Sequence, residues 1–311
     1  MLAVRVHEFG DPEVLTPEEV PQPEPVPGEV LVRVQAAGIN PFETYVRAGA
    51  YTELPALPYT PGCDAAGVRT DTGERVYVTD SLSGTYAEYA LCRVEDVRPL
   101  PDDLSYAQGA AVGVPYFAAY RALVQRAAPT EGERVLVHGA SGGVGIATVQ
   151  LALAAGLEVV GTAGSEAGSE LVAAQGDVRV LDHRDPSHLA VAMELAGGRG
   201  FDIIIEFLAS VNLGDDLTAL AQRGRIVVVG SRGTVEVDPR DLMNAEGAVL
   251  GMRTPNTRPE EEEVARCAVD AGLRSGALKP VVGRELPLAE AARAHHLIME
   301  RPALGKLVLV P

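Results

Sequence analysis

The chain has 311 residues, enough for two domains and a sizeable core, and its 47% hydrophobic and 22% charged residues are those of a globular protein. Its formal charge of −17 creates a field that repels phosphate backbones and anionic lipid, so nucleic-acid or membrane-surface binding is disfavoured. Three scattered cysteines (Cys63, Cys92, Cys267) make no disulfide framework, no apolar run reaches membrane length, and residues 1–6 lack a signal-peptide core, which together point to the cytoplasm.

Residues 1–115 read as β-rich and irregular. Alternation predicts a strand over 2–9. A proline-heavy link (Pro12, Pro17, Pro21, Pro23, Pro25, Pro27) then crosses as an extended surface connection to a second strand over 30–34. Two short strands follow over 75–79 and 86–91, and without a βαβ pattern the region is expected to be a small antiparallel barrel or sandwich. From Pro115 a helix over 116–128 leads into alternating strands (135–137, 158–162, 178–181, 202–206, 225–229, 248–251) and helices (144–155, 167–174, 187–196, 212–221). Unbroken apolar runs such as Ile203-Ile204-Ile205 suit a parallel sheet covered on both faces, so this region is α/β and doubly wound. Beyond residue 255 come a helix over 260–274, a strand over 281–282, a helix over 288–299 and a strand over 306–310. The run Glu260-Glu261-Glu262-Glu263 behind Pro259 reads as a solvated first turn that complements the helix dipole. Composition alone leaves open which domain this tail joins.

One stretch organises the rest. The strand Val135-Leu136-Val137 runs into His138-Gly139-Ala140-Ser141-Gly142-Gly143-Val144-Gly145, which opens directly into a helix. A glycine string alone is as often a plain loop; flanked by strand and helix it reads as a dinucleotide turn. Gly142 would admit a pyrophosphate, Gly145 would let the helix pack on its strand, and the free N–H groups of Ser141, Gly142, Gly143 and Val144 would face the anion. The pattern is A-x-G-x-x-G, with Ala140 in the first position.

Asn40-Pro41-Phe42-Glu43-Thr44-Tyr45, Pro58-Tyr59-Thr60-Pro61-Gly62, Gly84-Thr85-Tyr86-Ala87-Glu88-Tyr89-Ala90, the 134–152 stretch, Asp202 to Glu206, Val228-Val229-Gly230-Ser231-Arg232-Gly233-Thr234 and Gly305-Lys306 are together similar to the ζ-crystallin type of NADPH:quinone oxidoreductase. These are zinc-free members of the medium-chain dehydrogenase/reductase superfamily, and the resemblance runs along nearly the whole chain. A shortened link between Gly67 and Gly73 departs from it and implies a tighter hairpin. The resemblance implies a discontinuous GroES-like β-rich catalytic domain (1–116 and 257–311) and an inserted Rossmann domain (117–256), assembled as a homodimer or homotetramer. It also implies hydride transfer from NADPH to a quinone or conjugated enone. The alternative reading is a non-catalytic NADPH-binding protein, crystallin-like or RNA-binding, the last opposed by the acidity.

Zinc-dependent relatives place a cysteine where this chain has Asn40 and a His-Glu pair where it has Cys63-Asp64; C-x-x-C is absent and the histidines make no zinc spacing with the cysteines, so no metal is expected. Cys63 reads as an inert, half-buried thiol rather than a reactive one, and His295-His296 as helix-packing or surface residues. Without a Lewis acid, a good substrate must itself stabilise the charge left by hydride, as quinones and enones do.

The resemblance places Asn40 and Tyr45 where the family lines its cleft, with Tyr45 contacting cofactor or donating to the substrate oxygen; a core aromatic is its competing reading. Val229, Gly230, Ser231 and Arg232 lie at a carboxyl strand end, where such sheets bind ligands; Ser231 as a plain turn residue competes. Asn212 is a helix cap or a cofactor contact. Met252, Arg253 and Thr254 match a segment whose backbone meets the carboxamide. Lys306 is a phosphate contact or a surface charge. The end of the second strand, around Gly164, carries no acid before Glu166, which leaves room for a 2′-phosphate. His183 and Arg184 match the family's phosphate side, although Glu170 replaces a family lysine. NADPH is the cofactor favoured.

Overall fold

The computed structural model describes residues 1–300 and 304–311. Two compact units emerge, residues 1–114 with 280–311, and residues 115–279.

The first unit is β-rich. Its strands are β1 (Leu2–Val6), β2 (Leu15–Glu19), β3 (Glu29–Gly38), β4 (Asp64–Arg69), β5 (Arg75–Val78), β6 (Tyr89–Arg93) and β7 (Val97–Pro99). The second unit contributes β8 (Arg134–Val137), β9 (Glu158–Ala163), β10 (Val178–Asp182), β11 (Phe201–Glu206), β12 (Leu220–Val228) and β13 (Ala248–Gly251). The chain returns to the first unit for β14 (Val282–Pro287) and β15 (Lys306–Val310).

In the first unit, β1 and β2 pair antiparallel, and a second sheet runs β14-β15-β3-β4-β5-β7 with β6 also on β3. Alternate residues of β3, among them Val30, Val32 and Val34, join Val4, Val6, Ile39, Val78, Tyr86 and Leu309 in one core. Each such side chain, fully buried, contributes about 1.5–3 kcal/mol. The proline link hides a strand: Pro17 stands opposite Val4 in β2, where an edge position tolerates a residue without an N–H. The strand expected over 86–91 starts at Tyr89, because Tyr86 and Ala87 turn aside to bridge β1. The β4–β5 link is a tight hairpin, with Gly73 at φ +77° donating to the carbonyl of Arg69 over 3.0 Å.

The second unit holds six parallel strands in the order β10-β9-β8-β11-β12-β13. Numbered within the unit this is 3-2-1-4-5-6, the doubly wound dinucleotide order, with its switch point between β8 and β11. The helix after β11 is Ala209–Ala219, three residues earlier than expected, and β12 begins at once at Leu220. The helix expected over 116–128 forms as an α-helix over Gly113–Tyr120 and a π-helix over Arg121–Ala127. Helix Pro259–Ser275, past the junction expected at 256/257, packs within the second unit. Arg121 pairs with Glu261 at 3.0 Å, and Gln125 donates to the Glu261 carbonyl at 2.7 Å. Among the described residues no helix is long and apolar enough to cross a membrane.

Candidate active site

In the first unit, β3 ends at Gly38 and the chain passes Asn40 into helix Pro41–Arg47. Glu43, at the third helical position, reaches back to accept from the Asn40 N–H at 2.9 Å, which ties down the helix start. Around that turn a buried polar network is assembled. Lys306 Nζ donates to Asn40 Oδ1 at 2.5 Å and to Asp64 Oδ2 at 2.7 Å. Asn40 Nδ2 donates to the same Asp64 oxygen at 3.0 Å, and the Val114 N–H donates to Asp64 Oδ1 at 2.8 Å. Glycines make the room: a Cβ on Gly38 would stand 2.8 Å from Lys306 Cε, and one on Gly113 2.2 Å from Asp64 Oδ1.

Glu43 Oε2 also accepts from the Tyr86 hydroxyl at 2.7 Å, and that hydroxyl lies 3.2 Å from His295 Nε2. Since the Tyr86 proton points to Glu43, His295 Nε2 carries a proton and donates to the Tyr86 oxygen. His295 Nδ1 is then a buried acceptor without a partner among the described residues. Burial, then Arg47, pushes the His295 imidazolium down to about 3, so the ring is neutral. Burial raises the Glu43 carboxyl as well. Cys63 is held protonated, well above the ordinary thiol range, by burial and then by Asp64 and Glu43.

Asn40 is thus fully engaged, whereas Tyr45, on the same helix, is half-buried. Lys306 is neither a surface charge nor a free phosphate contact. It is 4% exposed and neutralised by Asp64, because β15 carries it into the interior beside β3.

In the second unit the turn after β8 has the strand-turn-helix form expected of the motif, with one shift. The residue at positive φ is Gly139 (+54°), one place before Ala140; it donates to Thr162 Oγ1 at 3.1 Å, and the Ala140 N–H donates to the Thr162 carbonyl at 2.8 Å. Gly142 caps helix Gly143–Ala154, whose first N–H groups have no carbonyl within the helix. A Cβ on Gly145 would stand 2.4 Å from the Gly139 carbonyl oxygen, and one on Gly161 2.9 Å from Ala140 Cβ, so helix and strands approach as a dinucleotide cradle requires. Ser141 is buried, and Gly142, Gly143 and Val144 are half-buried.

At the end of β9, Gly164 lies under the His183 ring, where a Cβ would meet Nε2 at 2.6 Å. Arg184 forks onto Asp182 at 2.6–3.1 Å, holding that carboxyl well below the usual range. Asn212 is not a cap: the helix cap is Leu208, and Asn212 Nδ2 donates to Glu206 at 3.0 Å. The Val229 and Gly230 N–H groups point to the Glu206 carbonyl at 2.8 and 3.3 Å, and the Arg232 N–H to Ser210 Oγ at 3.2 Å. Ser231 closes its own turn on the Gly233 carbonyl at 3.0 Å. Met252 is buried with its N–H on the Val228 carbonyl, Arg253 caps the 3-10 turn, and Thr254 begins it.

Sequence reasoning passed over Glu43, Tyr86, Glu206 and Asp216. Glu43 was detectable as the acid three residues into a helix opened by Asn-Pro, and Glu206 as an acid closing the apolar run of β11. A concave surface of about 840 Å³ lies at the opposite ends of the strands, lined by Glu133, Arg134 and Asp202 among others. Sheets of this kind bind ligands at the carboxyl ends, so that surface is not the cofactor site.

Residues 26–102 match the family described as alcohol dehydrogenase GroES-like domain, and residues 143–270 match zinc-binding dehydrogenase. Quinone oxidoreductase of Homo sapiens is 46% identical over 321 residues, covering 100% of this chain and 98% of that protein. Among solved structures, quinone oxidoreductase from Thermus thermophilus, described also in complex with NADPH, superposes with a TM-score of 0.90 at 31% identity over 100% of both chains. An NAD-dependent alcohol dehydrogenase does so with 0.92 at 29% identity over 100% of both.

The zinc in one family description does not fit the donors present. Asn40 is an amide bound to Lys306, Cys63 keeps its proton, and Asp64 is already paired with an ammonium. Zinc takes thiolate, neutral imidazole or free carboxylate. Among the described residues, His138, Glu206 and Asp216 alone bring three possible ligand atoms together, within 4.8 Å. The 2.8 Å from His138 Nε2 to Asp216 Oδ1 is that of an N–H···O bond, so a proton occupies the space.

Proposed function

The chain belongs to the quinone oxidoreductase family of the medium-chain dehydrogenase/reductase superfamily, and on that premise we propose that it reduces quinones and conjugated enones with NADPH. The observation that carries this reading is the Gly139–Gly145 cradle at the switch point of a 3-2-1-4-5-6 sheet. NADPH, when bound, supplies the hydride; the protein supplies binding and orientation.

The first N–H groups of helix Gly143–Ala154, with Ser141 and Gly142, receive the diphosphate at the positive end of the helix dipole. Gly164 and the His183 ring over it edge the place of the 2′-phosphate; burial holds that ring neutral, so it offers a hydrogen bond, and Arg184 supplies the counter-charge. Asn212, the 229–232 turn and the 252–254 segment line the nicotinamide half. Tyr45 holds a proton at its hydroxyl and donates to the substrate oxygen as charge develops there. Asn40 acts through its neighbours, fixing the start of the helix that carries Tyr45. Since Lys306 occupies the donors a metal would need, the acceptor must stabilise the incoming charge itself, as an aromatising quinone does. A cytoplasmic homodimer or homotetramer belongs to the same reading, supported by three free cysteines and the family resemblance.

Calorimetric titration with NADPH, followed by absorbance at the nicotinamide band with a benzoquinone, a naphthoquinone and an enone, tests it. Saturable binding and acceptor-dependent oxidation are expected. Binding without oxidation by any acceptor would replace the reading with that of a cofactor-binding protein.

A further inference from the structure

His138 follows β8 and Glu206 closes β11, two strands that neighbour each other at the switch point. Their side chains lie 3.7 Å apart, and His138 Nε2 is 2.8 Å from Asp216 Oδ1, on the helix that follows β11. All three are buried, and Asp216 Oδ2 has no partner among the described residues. Two carboxylates and an imidazole in such a place are expensive to desolvate, and an apolar cluster would serve packing as well.

Glu206 does something an apolar residue cannot. Its carboxylate accepts from the Leu208 N–H and from Asn212 Nδ2; the bonds from Val229 and Gly230 go to its main-chain carbonyl, which any residue would offer. His138, on its other side, is the residue from which the glycine turn departs. The turns after β8 and β11 therefore meet at one carboxyl group. We propose that Glu206 is the positioning residue whose carboxyl group holds the turn after β11, beside His138 and the glycine turn, in the geometry that receives the dinucleotide. This rests on the NADPH reading above.

The charged groups facing Glu206 are His138 and Asp216, and His183 in turn feels His138. Burial, with Asp216, lifts the Glu206 carboxyl to about 7 against the pull of His138. Loss of that proton leaves an extra buried negative charge beside the turn that must accept a diphosphate. Cofactor affinity then weakens as pH rises through neutrality, and binding takes up a proton.

The test is NADPH binding, followed by nucleotide fluorescence on the full chain from about pH 6 to about pH 8, for wild type, Glu206→Gln and Glu206→Ala. Wild type should weaken by about tenfold across this range, whereas E206Q should stay near the acid-limb affinity throughout. E206A should bind about tenfold more weakly at every pH, with the KM for NADPH raised and kcat at saturation changed by less than about threefold. If E206A does not fold, as judged by its thermal transition, Glu206→Asp, whose shorter side chain cannot reach both the Leu208 N–H and Asn212 Nδ2, carries the same KM-against-kcat readout. An E206A or E206D protein that binds as wild type does would overturn the positioning role. A flat wild-type profile identical to that of E206Q would overturn the link between Glu206 protonation and binding. Failure of the wild type to bind NADPH at all would instead overturn the functional reading.

Discussion

Lys306 and Asp64 stand 242 residues apart in the chain and meet at 2.7 Å in the interior of the first unit, each almost without solvent exposure. Removing one partner of such a pair strands the other charge. Lys306→Met should lower the unfolding free energy by about 3–5 kcal/mol in urea titrations, and Asp64→Asn in the same background should restore much of the loss. Equal stability of K306M and wild type would mean that the pair is not buried in solution.

Gly145 has no room for a methyl group against the Gly139 carbonyl. Gly145→Ala should displace the glycine turn, cost about 1–3 kcal/mol of stability and weaken NADPH binding by at least about tenfold, read by thermal unfolding and calorimetry. Normal binding would show that the helix does not sit this close to its strand.

Arg184 lies beside the strand end where an adenosine 2′-phosphate is proposed, already paired with Asp182. Arg184→Ala should raise the KM for NADPH by about tenfold and leave that for NADH unchanged, since a charge-assisted contact to phosphate is lost only for the first. Asp182→Asn, which releases the guanidinium, should lower the KM for NADPH. Equal effects on both nucleotides would move the phosphate site elsewhere.

Stability should depend on pH through buried groups shifted in opposite directions. His295 is held at about 3 when folded against 6.5 in its ordinary state, so its contribution is complete above 6.5 and is lost as acid is added toward 3. Glu206 and His138 are shifted the other way, the histidine because Asp216 and then Glu206 outweigh the effect of burial. The contribution of Glu206 is complete below 4.5 and is lost progressively as pH rises from there to about 7, and that of His138 is complete below 6.5 and lost above it, the two protons belonging to the triad as a whole. Melting temperatures across pH should therefore show an acid limb that His295→Gln flattens, and a gain of Glu206→Gln over wild type that grows from about pH 4.5 to about pH 7. An acid limb unchanged in H295Q would place that loss elsewhere.

The nucleotide unit was legible because its strands are continuous apolar runs and its turn is punctuated by glycine; even there the left-handed residue proved to be Gly139, which the A-x-G-x-x-G pattern does not mark. The first unit was legible mainly through resemblance. A strand containing Pro17 looks like a linker until its edge position is known, and residues 64–69 form β4 although Asp64 and two alanines give no alternation. The site network was illegible for a deeper reason. Lys306, Asp64 and Asn40 are joined by sheet register, and Glu206, His138 and Asp216 by strand order, so neither set has a local spacing to read. Charge alone pointed Lys306 outward; the register of β15 on β3 turns it inward.

The most direct test of the account is a single turnover in which enzyme-bound NADPH, deuterated in turn at each C4 position, is mixed with a quinone after dialysis against a strong chelator. The account predicts oxidation that needs the quinone, persists after chelation, and slows for one of the two deuterated forms only. Oxidation that depends on restored metal, or that is indifferent to both substitutions, would contradict it.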